Sequence, residues 1–373
     1  MTEHNEVLHE TVISREDIHR RVLLFSVAPL FGGAETYHVK LAKLMRERYV
    51  IGAVATDPQL RDQFRSLGIP VWTAGRENSG RSLSRYPGIA LSLARAIREF
   101  KPDAVHLNGQ AESYFSVIPR IFGIPAISTR HTAFDEHISA LKRFLVTQSL
   151  RIVKRTVCVS LVLKQQLAGS VNECKLEVIP NWLDPMPEPS VYLPPKKGET
   201  LRLLYVGRLI REKGIFDLIE AVRSTENVSL DVVGEGADGQ EACGRAGELP
   251  IRFHGFQADC SLFYRAAHML VFPSSPCLEG HPQVPIEAMA HGLPSLISNI
   301  PVNLDSADQG RAAELYQWGD VNDLVSKIKA LQDNPRHLAA LSARGAEHVH
   351  RCYTKERARE QYFKVFDDAT AEQ

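Results

Sequence analysis

A chain of 373 residues, 44% hydrophobic and 24% charged, has an ordinary globular composition, and its length exceeds the usual size of one hydrophobic core, so two domains are expected. Basic and acidic residues balance to a formal net charge of zero, which speaks against a general polyanion binder and hence against nucleic acid as a partner. The six cysteines form no Cys-x-x-Cys pair, no apolar run approaches the about 20 residues that span a bilayer, and the polar N-terminus is no signal peptide; a disulfide scaffold, a zinc ribbon and a membrane-spanning chain are therefore disfavoured, and a cytoplasmic protein, peripheral on the membrane at most, is expected.

Residues 1–20 show little apolar periodicity and read as a flexible tail. Val22–Val27 is an apolar strand, Pro29–Gly33 a glycine-containing loop, and Thr36, Val39, Leu41, Ala42 and Met45 lie on an amphipathic helix. Glycines at such a helix entrance let a backbone approach a phosphate or a sugar closely. Short strands follow at Val50–Ala55, Val71–Ala74, Ala104–Leu107, Ala126–Thr129, Thr156–Val159 and Leu176–Ile179. They alternate with helices near 59–67, 87–100, 112–122, 138–152 and 160–168, the pattern of a parallel sheet covered on both faces. Leu141, Phe144, Leu145, Leu150 and Ile152 in the fourth of these read as a core-facing stripe, with Lys142, Arg143 and Arg151 outside it. The alternative is a basic amphipathic surface that touches anionic lipid.

Five prolines between Asn181 and Thr200 mark a linker. The pattern then restarts with a strand at Leu201–Val206, the basic loop Gly207–Gly214 and a helix at Ile215–Arg223, followed by strands at Val228–Val233, Ile251–His254, His268–Phe272 and Ser295–Ser298. The expected division is a tail over 1–20, a first domain over 21–182, a linker over 183–200, a second domain over 201–350, and a C-terminal helical segment over 351–373 that packs back on the first domain. Two doubly wound halves place a ligand cleft between their facing strand ends.

The second half holds the densest chemistry. After the strand ending at Phe272, a loop with four prolines carries Glu279, a helix opens at Pro285 with Glu287 in its first turn, and Gly292 and Pro294 end it. Glu287 there would favour the helix dipole, and a strand–loop–helix start offers N–H groups to an anion. Arg208 and Lys213, just past a strand, suit a diphosphate: one supplies a planar fork of donors, the other a compact charge. Gly234-Glu235-Gly236-Ala237-Asp238-Gly239 matches a dinucleotide fingerprint, but it follows the second strand of its half and lacks the later acid, so a tight turn beside a nucleotide is expected instead. His131 stands just past a strand end of the first half. The chain has no Asp-x-Asp, so a sugar–nucleotide enzyme built this way would neutralise its leaving diphosphate with Arg208, Lys213 and a helix N-terminus.

Together these stretches resemble the retaining glycosyltransferases of the GT4 group, with the α/β GT-B fold of two Rossmann-like doubly wound domains facing a central cleft. The resemblance is carried by Gly32-Gly33-Ala34-Glu35, Ile179-Pro180-Asn181, Val206-Gly207-Arg208-Leu209, Glu212-Lys213-Gly214, Val233-Gly234-Glu235-Gly236, Phe253-His254-Gly255-Phe256, and the run from Glu279 to Glu287. It implies that Arg208 and Lys213 hold the donor diphosphate, Glu279 contacts the donor sugar, Glu287 binds ribose hydroxyls and His131 hydrogen-bonds the transferred sugar. Gly33, Gly207 and Gly280 would let backbone approach the donor, amides near Gln283, Val284 and Pro285 would face the phosphate and sugar, and backbone around Gly234 and Phe256 would meet the base. It further implies front-face transfer with no metal or other cofactor, from a UDP- or GDP-sugar to a glycan or lipid-linked acceptor of the cell envelope. A small soluble acceptor such as a sugar phosphate, or a non-catalytic role in a glycan assembly complex, are the alternatives. Three positions depart from the family pattern: Trp182 replaces the usual glycine, His281 stands where Phe is frequent, and the stretch after Ser298 lacks Gly-Gly-x-x-Glu.

Overall fold

The computed structural model describes residues 20–27, 32–74, 86–132, 134, 139–276 and 279–371; all of the expected tail except Arg20 lies outside them, as do loop positions 28–31 and Ile138. The first sheet contains β1 (Arg21–Ser26), β2 (Val50–Ala55), β3 (Val71–Thr73), β4 (Ala104–Asn108), β5 (Ala126–Arg130), β6 (Arg155–Cys158) and β7 (Leu176–Val178), in the order β3-β2-β1-β4-β5-β6-β7. The second contains β8 (Leu201–Val206), β9 (Val228–Val233), β10 (Ile251–Phe253), β11 (Met269–Phe272), β12 (Ser295–Ser298) and β13 (Glu314–Tyr316), in the order β10-β9-β8-β11-β12-β13, with every pair parallel. Each order starts near the middle, runs to one edge and then reverses. At the reversal, helices leave two adjacent strands toward opposite faces, so a crevice opens beyond the C-terminal ends of β1/β4 and of β8/β11.

The chain divides into two compact units, one running to Ile127 and taking in the residues from Phe366 onward, the other Ser128–Val365. In the first unit Val22, Leu23, Leu24 and Phe25 of β1 are all buried. There Asp367, near the end of the helix Lys355–Ala371, accepts from Arg20 Nη1 (3.0 Å), Arg48 Nη1 (2.9 Å) and the Tyr49 hydroxyl (3.1 Å). In the second unit the strand pleat sorts side chains onto two faces. Leu203, Tyr205, Met269 and Val271 enter one apolar cluster, while Leu204, Leu270, Phe272 and Ile297 enter the other with Ile286 and Met289. Burial on both faces explains why these strands read as unbroken apolar runs.

Several local expectations change. The region 112–122 forms two short helices, Gln110–Ser113 and Val117–Ile121, instead of one. The helix expected to open at Pro285 spans Gln283–Ala290, with Pro282 as its N-cap. Pro285 is tolerated at its third position because the first four N–H groups of a helix have no intrahelical acceptor. Gly292 at φ 78° ends it as expected, with its N–H on the Met289 carbonyl and that of Leu293 on the Ala288 carbonyl. In the helix Ala140–Ile152 only Val146, Thr147, Ser149 and Leu150 are buried; Leu141, Phe144 and Leu145 stay 67%, 57% and 48% exposed, which overturns the core-facing reading of its first turns.

Candidate active site

Two loops at the C-terminal ends of the adjacent strands β8 and β11 gather most of the singled-out residues. The first, Gly207–Gly214, closes with a single 3-10 turn at Arg211–Lys213 and with Gly214 at φ 73°. Glycine is required there twice over: the backbone is left-handed, and a Cβ would run into the Pro273 carbonyl. The Ser275 N–H donates to the Glu212 carbonyl (2.9 Å), so the two loops are stitched by backbone alone before any side chain contributes.

That stitching brings the ends of Lys213 and Glu279 together. One carboxylate oxygen of Glu279 accepts from both the Lys213 ammonium and the Ser274 hydroxyl. Glu279 is buried and the Lys213 side chain is 15% exposed, with its Nζ 5.6 Å from the centre of the Phe272 ring. Each charge makes burial of the other tolerable, and removing one partner of such a pair costs about 3–5 kcal/mol. An ammonium has three donors, so pairing with Glu279 does not exhaust Lys213. Ser274 is held in turn: its carbonyl accepts from Ser298 Oγ (2.7 Å), and the Ser298 carbonyl accepts from Asn303 Nδ2 (2.9 Å).

Arg208 lies in the same loop with its side chain in solvent. Its carbonyl is fixed by the Tyr205 hydroxyl (2.8 Å), and among the described residues its guanidinium has no hydrogen-bond or ion-pair partner. The glycines of the discounted fingerprint serve this loop. A Cβ on Gly234 would meet the Gly207 carbonyl and one on Gly236 the Leu209 carbonyl, so both must be bare for the loop after β9 to lie along Gly207–Leu209. The Gly234 N–H donates to the Gly255 carbonyl (2.8 Å) and that of Phe256 to Glu235 Oε1 (3.3 Å), while the Phe256 ring is exposed.

The helix Gln283–Ala290 begins just after Glu279 and Gly280. Its N-cap Pro282 makes no side-chain cap hydrogen bond and its first turn holds no acidic residue, so the positive end of its dipole at Gln283, Val284 and Pro285 is not offset by a carboxylate of the helix itself. Glu287 is its fifth residue, not a first-turn one, and the dipole role expected for it does not hold. Its Oε2 instead accepts from the hydroxyl of Tyr264 (2.9 Å).

Two residues on β5's side of this second unit reach the same loop. A Cβ on Gly280 would run into the carbonyl of His131, so this glycine permits the His131 backbone to lie against the Glu279 loop. Burial and the neighbouring Arg130 cation push the His131 imidazole down to about 3, which leaves a neutral hydrogen-bonding ring. Asn181 Nδ2 donates to the His281 carbonyl (2.7 Å). His281 itself is buried against Tyr353, at 5.1 Å between ring centres, and burial with His348 nearby pushes it down to about 3. Gly33 belongs to the first unit, exposed at the start of the helix Gly33–Met45, where an added Cβ would meet nothing within 4 Å among the described residues. Among the described residues no group of three His, Cys, Asp or Glu side chains is placed to hold a metal ion.

Sequence reasoning missed Ser274 and Tyr264. Tyr264 lies 23 residues before its partner Glu287, and serine and tyrosine carry no spacing signal that would have flagged them.

Comparison with known proteins bears on this arrangement. A family model described as "Glycosyl transferases group 1" matches residues 194–348, and one described as "Glycosyltransferase Family 4" matches residues 31–186. The lipopolysaccharide core biosynthesis glycosyltransferase LpsD of Rhizobium meliloti is 25% identical over 362 residues, 91% of this chain and 96% of that protein. The lipopolysaccharide 1,6-galactosyltransferase of Escherichia coli is 26% identical over 64% of this chain and 67% of its own length. Among solved structures, Anabaena HepE in complex with UDP superposes with a TM-score of 0.79 at 17% identity, covering 93% of this chain and 99% of that one. The lipopolysaccharide outer core galactosyltransferase WaaB superposes with a TM-score of 0.73 at 19% identity, covering 95% and 99%.

Proposed function

The chain belongs to the GT4-type glycosyltransferases of the GT-B fold, and we propose that it moves a sugar from a UDP- or GDP-sugar to a glycan or lipid-linked acceptor in cell-envelope polysaccharide synthesis, with retained anomeric configuration and no metal. The observation that carries this reading is the Lys213–Glu279 pair at the β8/β11 reversal, beside the N-terminus of a helix with no acidic residue in its first turn. Donor cleavage builds negative charge on the leaving diphosphate. Lys213, the solvent-facing Arg208 and the N–H groups at the start of the helix Gln283–Ala290 would stabilise that charge without a cation. Glu279 would take a sugar hydroxyl, Glu287 the ribose hydroxyls, and the neutral His131 a further sugar hydroxyl. On the same reading the backbone at Gly33, Gly207 and Gly280 would face the donor.

Residues 201–350 would thus form the donor side and 21–182 the acceptor side, joined by 183–200. Support for a nucleotide-sugar donor comes from HepE, which has been solved with UDP and with UDP-glucose. Support for an envelope product comes from the relatedness to lipopolysaccharide and capsule enzymes. The exposed Leu141, Phe144 and Leu145 beside Lys142 and Arg143 support peripheral contact with anionic lipid, and no helix among the described residues is long and apolar enough to cross a membrane.

Titration calorimetry with a panel of UDP- and GDP-sugars, in the presence and absence of EDTA, tests the core of this reading. One sugar nucleotide should bind in the micromolar range with an affinity that EDTA leaves within about twofold. Absence of binding by every sugar nucleotide would remove the transferase reading, and EDTA-sensitive binding would remove metal independence.

A further inference from the structure

The carboxylate of Glu287 takes a hydrogen bond from outside its own helix. The helix dipole does not hold it, because it lies past the first turn. Its carboxylate is met from outside by Tyr264, on the short helix Ser261–Ala266 that precedes β11. Tyr264 is 4% exposed, so its ring has few orientations open to it. His291, the C-cap of the helix Gln283–Ala290, stacks on that ring with 5.2 Å between centres and 28° between planes. The His291 N–H donates to the Glu287 carbonyl (3.1 Å). The backbone of Glu287 and the ring that aims its carboxylate are therefore both tied to one residue, His291. Burial and the Glu287 charge keep the Tyr264 phenol protonated well beyond its ordinary range, so it is a constant donor at any working pH. The His291 imidazole, lowered by burial and the nearby Arg265 cation, stacks as a neutral ring.

We propose that Tyr264 is a positioning residue for the nucleotide: stacked on His291, it donates to one oxygen of Glu287 and turns the other lone pairs of that carboxylate toward the donor's ribose hydroxyls. This rests on the reading of Glu287 as the ribose-binding residue. A carboxylate without a fixed donor rotates among rotamers, and binding then costs the entropy of ordering it. With the Tyr264 hydroxyl in place that ordering precedes the ligand. The consequence is specific to one part of the nucleotide, since the diphosphate loop at Arg208 and Lys213 is built by other residues.

The experiment compares binding of UDP and 2′-deoxy-UDP, and of GDP and 2′-deoxy-GDP, to the full chain and to Tyr264→Phe and Glu287→Gln. Phe keeps the stack on His291 and removes only the hydroxyl. Wild-type protein should prefer the ribonucleotide, and Glu287→Gln should bring that preference close to one. Tyr264→Phe should weaken the ribonucleotide by about three- to tenfold, in line with the cost of ordering one free side chain, and weaken the 2′-deoxy form, which keeps its 3′-hydroxyl, by clearly less. A double variant should be no worse than Glu287→Gln alone. If Glu287→Gln flattens the preference and Tyr264→Phe keeps the wild-type ratio, the positioning role is overturned and the ribose reading survives. If Tyr264→Phe weakens both nucleotides equally, Tyr264 acts on the fold of the pocket and the proposal is likewise overturned. If Glu287→Gln leaves the preference intact, the ribose reading itself falls, and this inference with it.

Discussion

Lys213 and Glu279 were both legible in the sequence as candidate residues, one for phosphate and one for sugar, and what was not legible was that they bind each other. They stand 66 residues apart, and the close approach of Gly214 to Pro273 together with the Ser275–Glu212 backbone hydrogen bond brings them together. Lys213→Ala is therefore expected to have two effects. Turnover should fall by roughly 10²–10³ through loss of a preorganised cation. The melting temperature should fall as well, because Glu279 stays buried without its counter-charge, a cost of about 3–5 kcal/mol. Thermal unfolding and steady-state rates on Lys213→Ala and on the Lys213→Met/Glu279→Gln double variant separate the two. The double variant should recover most of the stability and none of the activity, and a Lys213→Ala protein as stable and active as wild type would refute the pair's importance. Glu287 teaches the same lesson from the other side. Its identity was readable, but its expected dipole role depended on a helix start at Pro285, and the start at Gln283 removed it.

Both sheets were legible at the scale of elements, because strands buried on two faces leave continuous apolar runs such as Leu203-Leu204-Tyr205 and Leu270-Val271-Phe272. The elements that escaped notice are short and carry little periodicity. They include β13, which is Glu-Leu-Tyr, and the helices Gly239–Ala246, Ser261–Ala266 and Pro301–Ser306. The last helix, Lys355–Ala371, was readable as a helix, but the three contacts made by Asp367 were not, since Arg20, Arg48 and Tyr49 lie more than 300 residues away. Asp367→Ala should cost about 1–2 kcal/mol, the low figure reflecting a carboxylate that water still reaches. In thermal unfolding this corresponds to a drop of roughly 2–4 °C for a chain of this size. Asp367→Asn should recover part of it by keeping a hydrogen-bond acceptor.

A zero net charge over the whole molecule conceals an uneven surface. Leu141, Phe144 and Leu145 face solvent beside Lys142 and Arg143, a combination that a bilayer bearing anionic headgroups would satisfy better than water does. Flotation with phosphatidylglycerol vesicles should carry the protein upward at low salt. Binding should weaken as salt rises and disappear in a Leu141→Ser/Phe144→Ser/Leu145→Ser variant. Indifference of the wild-type protein to such vesicles would remove the lipid reading. Another whole-molecule property follows from Phe366, which is buried in the first unit beside Tyr49 and His106 although the main stretch of that unit ends at Ile127. A ribosome adds roughly 5–20 residues each second, so the first unit waits on the order of ten seconds or more, while the second is being made, before this core side chain emerges. During that interval its apolar face by Tyr49 is unfinished on the nascent chain. A premature stop shortly before Phe366 would damage the part of the protein synthesised first.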